Sequence, residues 1–437
     1  MLSVFLLISS VSGGWLYPEQ IHLSWTENEN EMRATWVTYL DVASYINYRP
    51  VLCYNIPSPT SWIQVIGSSS LFDAGTLLPN LEYIHTGVVS GLRPECKYEY
   101  KVGNGLFWSE INVFSGRTPD YEAPWDTNEV EMIVLGDWGT GLNGRYTRHL
   151  LSQEAKFRDF DAVLHVGDMA YNLNDNNGRV GDHWLNIIEP VAANYAYMTL
   201  PGNHETHNNF THYKRRFNMP LNNANQGTGY FYSFDMGPAH FIMMNTEAYF
   251  YYSNITQVTQ MNWLIEDLNQ ANMNRELRPW VIVLSHHPLY CSVNWYLPLL
   301  QSNGDCGVDA IKLQNALEEV FYQNGVDIYF QAHVHNYERD CAIYKNQTVP
   351  SEYDGQNIHI GPKAPIYITN GNAGNDEGHN DPTSPTPQDW AQYWSNDYGY
   401  GRLVVYNNTH LYYEQFSSPN VDTIDYLWVV KTQNRYN

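Results

Sequence analysis

Six short, near-continuously apolar runs constrain this chain more than any other feature: EMIVLG (131–136), DAVLHVG (161–167), YAYMTLPG (195–202), HFIMMN (240–245), WVIVLSH (280–286) and VDIYFQ (326–331). A strand with one wet face alternates apolar and polar residues; runs like these suit strands buried on both faces. Between some of them lie helical patterns. QVTQMNWLIEDLNQAN (257–272) puts Met261, Leu264, Ile265 and Leu268 on one stripe, and DAIKLQNALEEVFYQ (309–323) repeats the idea. Alternating strand and helix predicts an α/β domain of layered β-sheets flanked by helices over 131–437, with a closing hairpin at 403–416.

Upstream the texture changes. IHLSW (21–25), MRATWVTY (32–39), YIHTGVVSGL (83–92) and KYEYKVGN (97–104) alternate large apolar and polar residues, with turn signals at Leu78-Pro79-Asn80 and Leu92-Arg93-Pro94. That pattern predicts an all-β sandwich over 15–118, followed by a polar, Pro-containing linker at 119–130. Residues 2–12, LSVFLLISSVS, are apolar and uncharged. A bilayer span needs about 20 residues, so 1–12 reads as a cleaved signal peptide, with a first buried strand as the alternative. No later stretch is long and charge-free enough to be a transmembrane helix. Sequons at Asn209, Asn254, Asn346 and Asn407 fit the same route, to a secreted or lysosomal glycoprotein.

The five cysteines form no CxxC, which excludes a zinc ribbon or a thioredoxin-type motif. Cys291–Cys306 and Cys53–Cys96 are candidate pairs, and the odd count leaves at least one free thiol or a bond between chains. Lys and Arg number 23 against 46 Asp and Glu, a net charge of −23. Such a surface repels phosphate backbones and anionic lipid heads, which argues against nucleic-acid and membrane-surface partners. A small phosphorylated substrate remains admissible, because a local metal centre outweighs the global field. Oligomeric state is left open.

The turns after the buried runs carry the chemistry: Gly136-Asp137-Trp138-Gly139, Gly167-Asp168-Met169-Ala170-Tyr171, Gly202-Asn203-His204-Glu205, Ser285-His286-His287-Pro288 and Ala332-His333-Val334-His335. Ligand sites in open α/β sheets lie beyond the carboxyl ends of strands, so five such turns can converge on one crevice. They bring two carboxylates, a phenol, an amide and three imidazoles. Carboxylate and phenolate oxygens suit hard ions, and imidazoles suit Zn or Fe. Seven ligands exceed one centre; if Asp168 bridges, they divide into two sets of four. Two metals about 3.5–4 Å apart clamp a phosphoryl group and activate water. Isolated histidines such as His165, His240 and His359 read as packed or surface residues.

At these residues the chain resembles the purple acid phosphatases of the metallophosphoesterase superfamily, in their two-domain animal-type form. The family blocks GDxG, GDxxY, GNH(D/E), VxxH and GHxH stand here as GDWG, GDMAY, GNHE, VLSH and AHVH, and the resemblance continues through NFTHYKRRFNMP (209–220), HVHNYER (333–339) and YGYGRL (398–403). It implies a fibronectin-III-like N-terminal sandwich. It implies Fe(III) on Asp137, Asp168, Tyr171 and His335, and a second divalent metal (Fe, Zn or Mn) on Asp168, Asn203, His286 and His333. His204 is the implied catalytic residue, binding phosphate and helping to protonate the leaving group.

The implied reaction is hydrolysis of phosphate monoesters at acid pH by metal-activated hydroxide attack. A phosphodiester or nucleotide hydrolase using the same centre, and a catalytically weak secreted metal-binding interaction protein, are the competing readings. His286 rather than His287 aligns with the ligand position. Two departures stand out: Ala332 replaces the usual Gly, and the loop after His287 offers Asn294, Trp295 and Tyr296 where some members have histidines.

Overall fold

A computed structural model of the chain describes residues 14–53, 61–75, 78–94, 96–117, 129–222, 229–251, 254–293, 307–380 and 388–432. The expected signal peptide and Asn294–Tyr296 fall outside these. So does the expected linker, except Glu129 and Val130, and Val130 already begins a strand.

The alternating segments form the expected sandwich. One of its sheets runs in the order Ile63–Ile66, Tyr45–Cys53, Cys96–Gly103, Asn112–Ser115. From Cys96 to Val102 the residues alternate, with Tyr98, Tyr100 and Val102 buried and Lys97, Glu99 and Lys101 half-exposed, as a half-buried strand requires. A Cys53–Cys96 disulfide joins two neighbouring strands of this sheet. Cys291 is also disulfide-bonded, and Cys341 is a buried free thiol.

The facing strands, Glu19–Trp25, Glu31–Thr38, Leu81–Ser90 and Ser68–Asp73, do not end as a separate sheet. Glu19–Trp25 pairs in parallel with Ala196–Leu200 at Leu23↔Ala196, so the sandwich continues into a twelve-stranded sheet. Its middle holds the parallel strands Val130–Leu135, Ala162–Val166 and Ala196–Leu200. Gly399–Val405, His410–Ser417 and Asp422–Val430 follow antiparallel, the first two being the expected hairpin, in register Leu403↔Tyr413. Every residue of Ala162–Val166 and Ala196–Leu200 is buried, matching their unbroken apolar sequence.

An eight-stranded mixed sheet carries the other runs. Ala239–Met243, Trp280–Leu284, Ile328–Gln331 and Ile366–Asn370 are parallel neighbours, while Tyr232–Met236 and Tyr337–Tyr344 pair antiparallel to them. Helices flank the layers. On Asn254–Met273 the expected stripe is shifted: Leu264 and Leu268 are buried, but Ile265 is 42% exposed, and Gln260 and Trp263 take the inward places. Gln260 turns inward because its amide bonds the backbone of Asn245 at both N and O, 2.9 Å each. A hydrogen-bonded polar group displaced an apolar one from the core face.

Candidate metal centre

The carboxyl ends of the two sheets meet. Asn370 Nδ2 donates to Val134 O at 3.0 Å across them, and His286 Nδ1 lies 2.9 Å from Val166 O. Turns from the first sheet deliver Asp137, Asp168, Tyr171, Asn203 and His204; turns from the second deliver His286, His333 and His335.

These turns are bent hard. Asp137, Asp168, Ala170, Tyr171, Asn172 and His333 all have positive φ, between 52° and 148°. Non-glycine residues enter that region at a cost, and it concentrates at functional sites. Gly167 (φ +93°) is required where it stands: a Cβ there would lie 2.5 Å from His286 Nδ1. Ala332 is accommodated by a glycine opposite, since a Cβ on Gly136 would meet the Ala332 methyl at 2.6 Å. The Gly expected at 332 is therefore replaced by a Gly–Ala fit across the sheets.

The seven predicted donors fall into two groups. Tyr171 Oη lies 3.0 Å from Asp137 Oδ1 and 2.9 Å from His335 Nε2, and His335 Nε2 lies 3.4 Å from Asp137 Oδ1. In the second group His286 Nε2 lies 3.1 Å from Asp168 Oδ2, 3.0 Å from Asn203 Oδ1 and 3.2 Å from His333 Nδ1. Ligand atoms of Asp168, His286 and His333 all lie within 4.8 Å of one another.

Outer contacts choose which ring nitrogen faces inward. A carbonyl only accepts, so Val166 O fixes the proton on His286 Nδ1, and Gly378 O, 2.9 Å from His335 Nδ1, does the same there. Nε2 of each ring is left for the cluster.

The clustered groups act strongly on one another's protonation. Burial pushes the Tyr171 phenol up, and Asp137 and Asp168 push it further, far above its ordinary value. Burial disfavours a charged His286, but Asp168 outweighs it and raises the ring to about 10. Burial likewise raises Asp168, yet His286, His204 and His333 hold its carboxyl well below the usual range. Asp168 Oδ2 is buried, 3.1 Å from His286 Nε2 and 3.8 Å from His204 Nε2. Bound cations invert this local logic. Carboxylate and phenol oxygens with one imidazole suit a hard ion; a carboxylate, an amide oxygen and two imidazoles suit a borderline divalent ion. The residues present fit such a pair.

His204 stands at the mouth. Its Nδ1 lies 2.9 Å from Asn172 Oδ1 and its Nε2 3.8 Å from Asp168 Oδ2 and 3.7 Å from Glu377 Oε1. His287 is buried beside the cluster, with Nε2 near Glu247 and Nδ1 near Asp309. The isolated histidines are structural: His165 bonds Tyr197 Oη, Asp235 and Asp267 clamp His240 and raise it to about 10 against the effect of burial, and His359 pairs with Asp354.

Two contributors went unrecognised in the sequence. Glu205 accepts from the amides of Asp168 and Met169 at 2.9 Å and of Gly202 at 2.8 Å, tying the second and third turns together. Its place in GNHE was the available signal. The second is a sixth turn, after Ile366–Asn370. Besides Gly378 O on His335, Asn380 Oδ1 accepts from His335 N at 2.6 Å, and Asp376 accepts from Thr140 N and Gly141 N. Its Gly/Asn-rich sequence reads only as a loop.

Two facing sheets whose strand ends share a double cluster of metal-type donors define a metallophosphoesterase architecture. Residues 131–337 match the family described as calcineurin-like phosphoesterase. Residues 18–116 match the purple acid phosphatase N-terminal domain, and 364–426 match iron/zinc purple acid phosphatase-like protein C. The chain belongs to the purple acid phosphatase family. It is 37% identical to human (Homo sapiens) acid phosphatase type 7 over 424 residues, covering 95% of this chain and 91% of the human protein. It is 28% identical to phosphoenolpyruvate phosphatase of Allium cepa over 413 residues, covering 91% and 78%. The fold matches the purple acid phosphatase PPD1 from yellow lupin (Lupinus luteus) seeds with a TM-score of 0.80 at 22% identity, over 96% of this chain and 75% of that one.

Proposed function

We propose that this chain is an acid phosphatase that hydrolyses phosphate monoesters at a binuclear centre. The observation that carries the reading is the meeting of all seven predicted donors, from five separate turns, in two adjoining clusters. Asp137, Asp168, Tyr171 and His335 would hold Fe(III), and Asp168, Asn203, His286 and His333 a divalent Fe, Zn or Mn. When bound, such a pair supplies charge to a phosphoryl group and a nucleophile at low pH.

The chain's own residues supply the rest. Asn172 holds His204 by Nδ1 and so presents Nε2 to the cleft, where it binds a phosphate oxygen and passes a proton to the leaving oxygen. Glu205 keeps the Asp168 and Asn203 turns in register. The net charge of −23 supports a small substrate drawn by the local centre rather than a polyanion.

A secreted or lysosomal location is supported by the apolar leader, by the sequons and by the Cys53–Cys96 disulfide, since disulfides persist in oxidising compartments. Asn209 and Asn346 are exposed and Asn407 half-exposed, as glycan acceptors must be; the Asn254 side chain lies outside the described residues. No helix among the described residues is long and apolar enough to cross a membrane.

Purified protein should contain two metals per chain and show a visible tyrosinate–iron band that Tyr171→Phe abolishes, with phosphatase activity toward an aryl phosphate. His204→Ala should lower turnover far more than metal content. A colourless, metal-free protein after reconstitution, or wild-type turnover in His204→Ala, overturns the assignment.

A further inference from the structure

His287 is a buried imidazole that the metal centre as described leaves without a role. Its neighbour His286 points into the donor cluster; its own ring nitrogens face two carboxyl groups. Nε2 lies 3.0 Å from Glu247 Oε1 and Nδ1 3.9 Å from Asp309 Oδ2. Its backbone N–H donates to Thr246 Oγ1 at 3.0 Å. One contact of the ring is Phe250, at 4.4 Å between centroids; another is His333, at 4.1 Å and inclined by 40°.

Glu247 is itself held in place. It is fully buried, and its N–H donates to Asn245 Oδ1 at 2.9 Å. Asn245 in turn is clasped at N and O by Gln260 of the helix Asn254–Met273. A continuous set of contacts thus leads from that helix through Gln260, Asn245, Glu247 and His287 to the ring of His333. Burying a carboxyl group merely to fill space is unfavourable when an apolar side chain would pack there without loss. A carboxyl–imidazole pair in this position has a use if the imidazole must be kept from rotating. His333 is the donor in most need of such support: its φ is +67°, and its ring packs against both His286 and His287, three rings in mutual contact.

We propose that His287, pinned by Glu247 and packed against the His333 ring, is a positioning residue for the second metal position. It fixes the plane in which His333 presents its donor nitrogen, and it leaves the Asp137–Tyr171–His335 side untouched. This rests on the metal-centre reading above.

Cobalt(II) is the probe, because its d–d absorption reports ligand geometry at the second position while the tyrosinate–iron band reports the first. Full-length wild-type protein, His287→Phe and Glu247→Gln are loaded with iron and titrated with cobalt(II) against a chelator. His287→Phe keeps a ring of similar volume, and Glu247→Gln keeps His287 itself, so neither result reduces to a hole in the core. Both variants should bind cobalt(II) about 10–100-fold more weakly, the size of effect that outer-shell partners of metal ligands show, with an altered d–d spectrum and an unchanged tyrosinate band. Affinity within twofold of wild type in both variants overturns the proposal, as does loss of the tyrosinate band together with cobalt. A wild-type chain that takes up no metal removes the metal-centre reading, and this inference with it.

Discussion

Glu82 joins the sandwich to the layered domain, and its proton ties folding stability to pH. It projects from Leu81–Ser90 and is fully buried. Its Oε1 lies 3.2 Å from Arg216 Nη2, but the same nitrogen is held more closely by Asp182 Oδ1 at 2.7 Å. Gly178 O and Gln20 Oε1 take further contacts of the guanidinium at 3.1 and 3.3 Å. One cation thus faces two carboxylates away from water. Burial, reinforced by Asp182 and only partly offset by Arg216, pushes Glu82 from its ordinary 4.5 up to about 8.

The sign follows from proton counting. Between those two values the native state holds a proton that the unfolded chain has lost, so stability falls as pH rises, by about 1.4 kcal/mol per unit. The contribution is complete below the lower value and gone above the upper one. Glu82→Gln removes the titration and keeps an amide able to donate to Asp182. Urea denaturation of wild type and variant is compared between about pH 5 and about pH 8. Other titrating groups largely cancel in the difference, and wild type should lose roughly 3–4 kcal/mol more than the variant across that range. Parallel stability curves would mean that Glu82 is ionised throughout and would refute the argument.

Two further outcomes are expected. Glu205→Gln turns one acceptor into a donor facing backbone N–H groups, so it should destabilise the fold by roughly 2–3 kcal/mol and loosen metal retention; unchanged chelator resistance would show that the Asp168 and Asn203 turns hold without it. Gly167→Ala puts a methyl against His286 Nδ1 at a positive φ, and should lower phosphatase turnover about 100-fold while circular dichroism stays native; turnover within a few-fold of wild type would show that the turn yields.

The clustered side chains were legible in the sequence because each is local to its strand: a buried run names the strand, and the turn that follows names the residue. The strand types followed from the same logic, since unbroken apolar runs and strict alternation have different burial. What escaped is non-local. That Glu19–Trp25 would pair with Ala196–Leu200 and join the sandwich to the catalytic sheet depends on an edge left open by two segments far apart in sequence. The Arg216–Glu82–Asp182 cluster at the same junction has no local motif either. Glu205 sat in view within GNHE, but its function is to accept three amides, and backbone amides carry no sequence signal. Ile265 was misplaced because periodicity cannot distinguish a glutamine that finds buried partners from one that needs water.

The strained turns raise the question of whether metal binding forms the site or finds it formed. Six non-glycine residues there have positive φ, and at roughly 1 kcal/mol each, the low end of the usual range, they together approach the net stability of a typical domain. Such turns persist only if other bonds hold them. Those bonds end on protein atoms. Asp137 N donates to Gly167 O and Trp138 N to Asp168 O, both at 3.1 Å. His204 N donates to Asp168 Oδ1 at 3.0 Å and His333 N to Asp137 Oδ2 at 2.9 Å. Glu205 takes Asp168 N and Met169 N. Asp137 and Asp168 therefore use one carboxylate oxygen each to brace a neighbouring turn, and this bracing does not depend on a cation. Hydrogen exchange on chelated protein should then find the amides of Asp137, Trp138, Asp168, Met169, His204 and His333 still protected, within about tenfold of the metal-loaded chain. Exchange at unstructured-loop rates after metal removal would instead make the cation the organiser of the turns, and the clustered donors a consequence of loading rather than its cause.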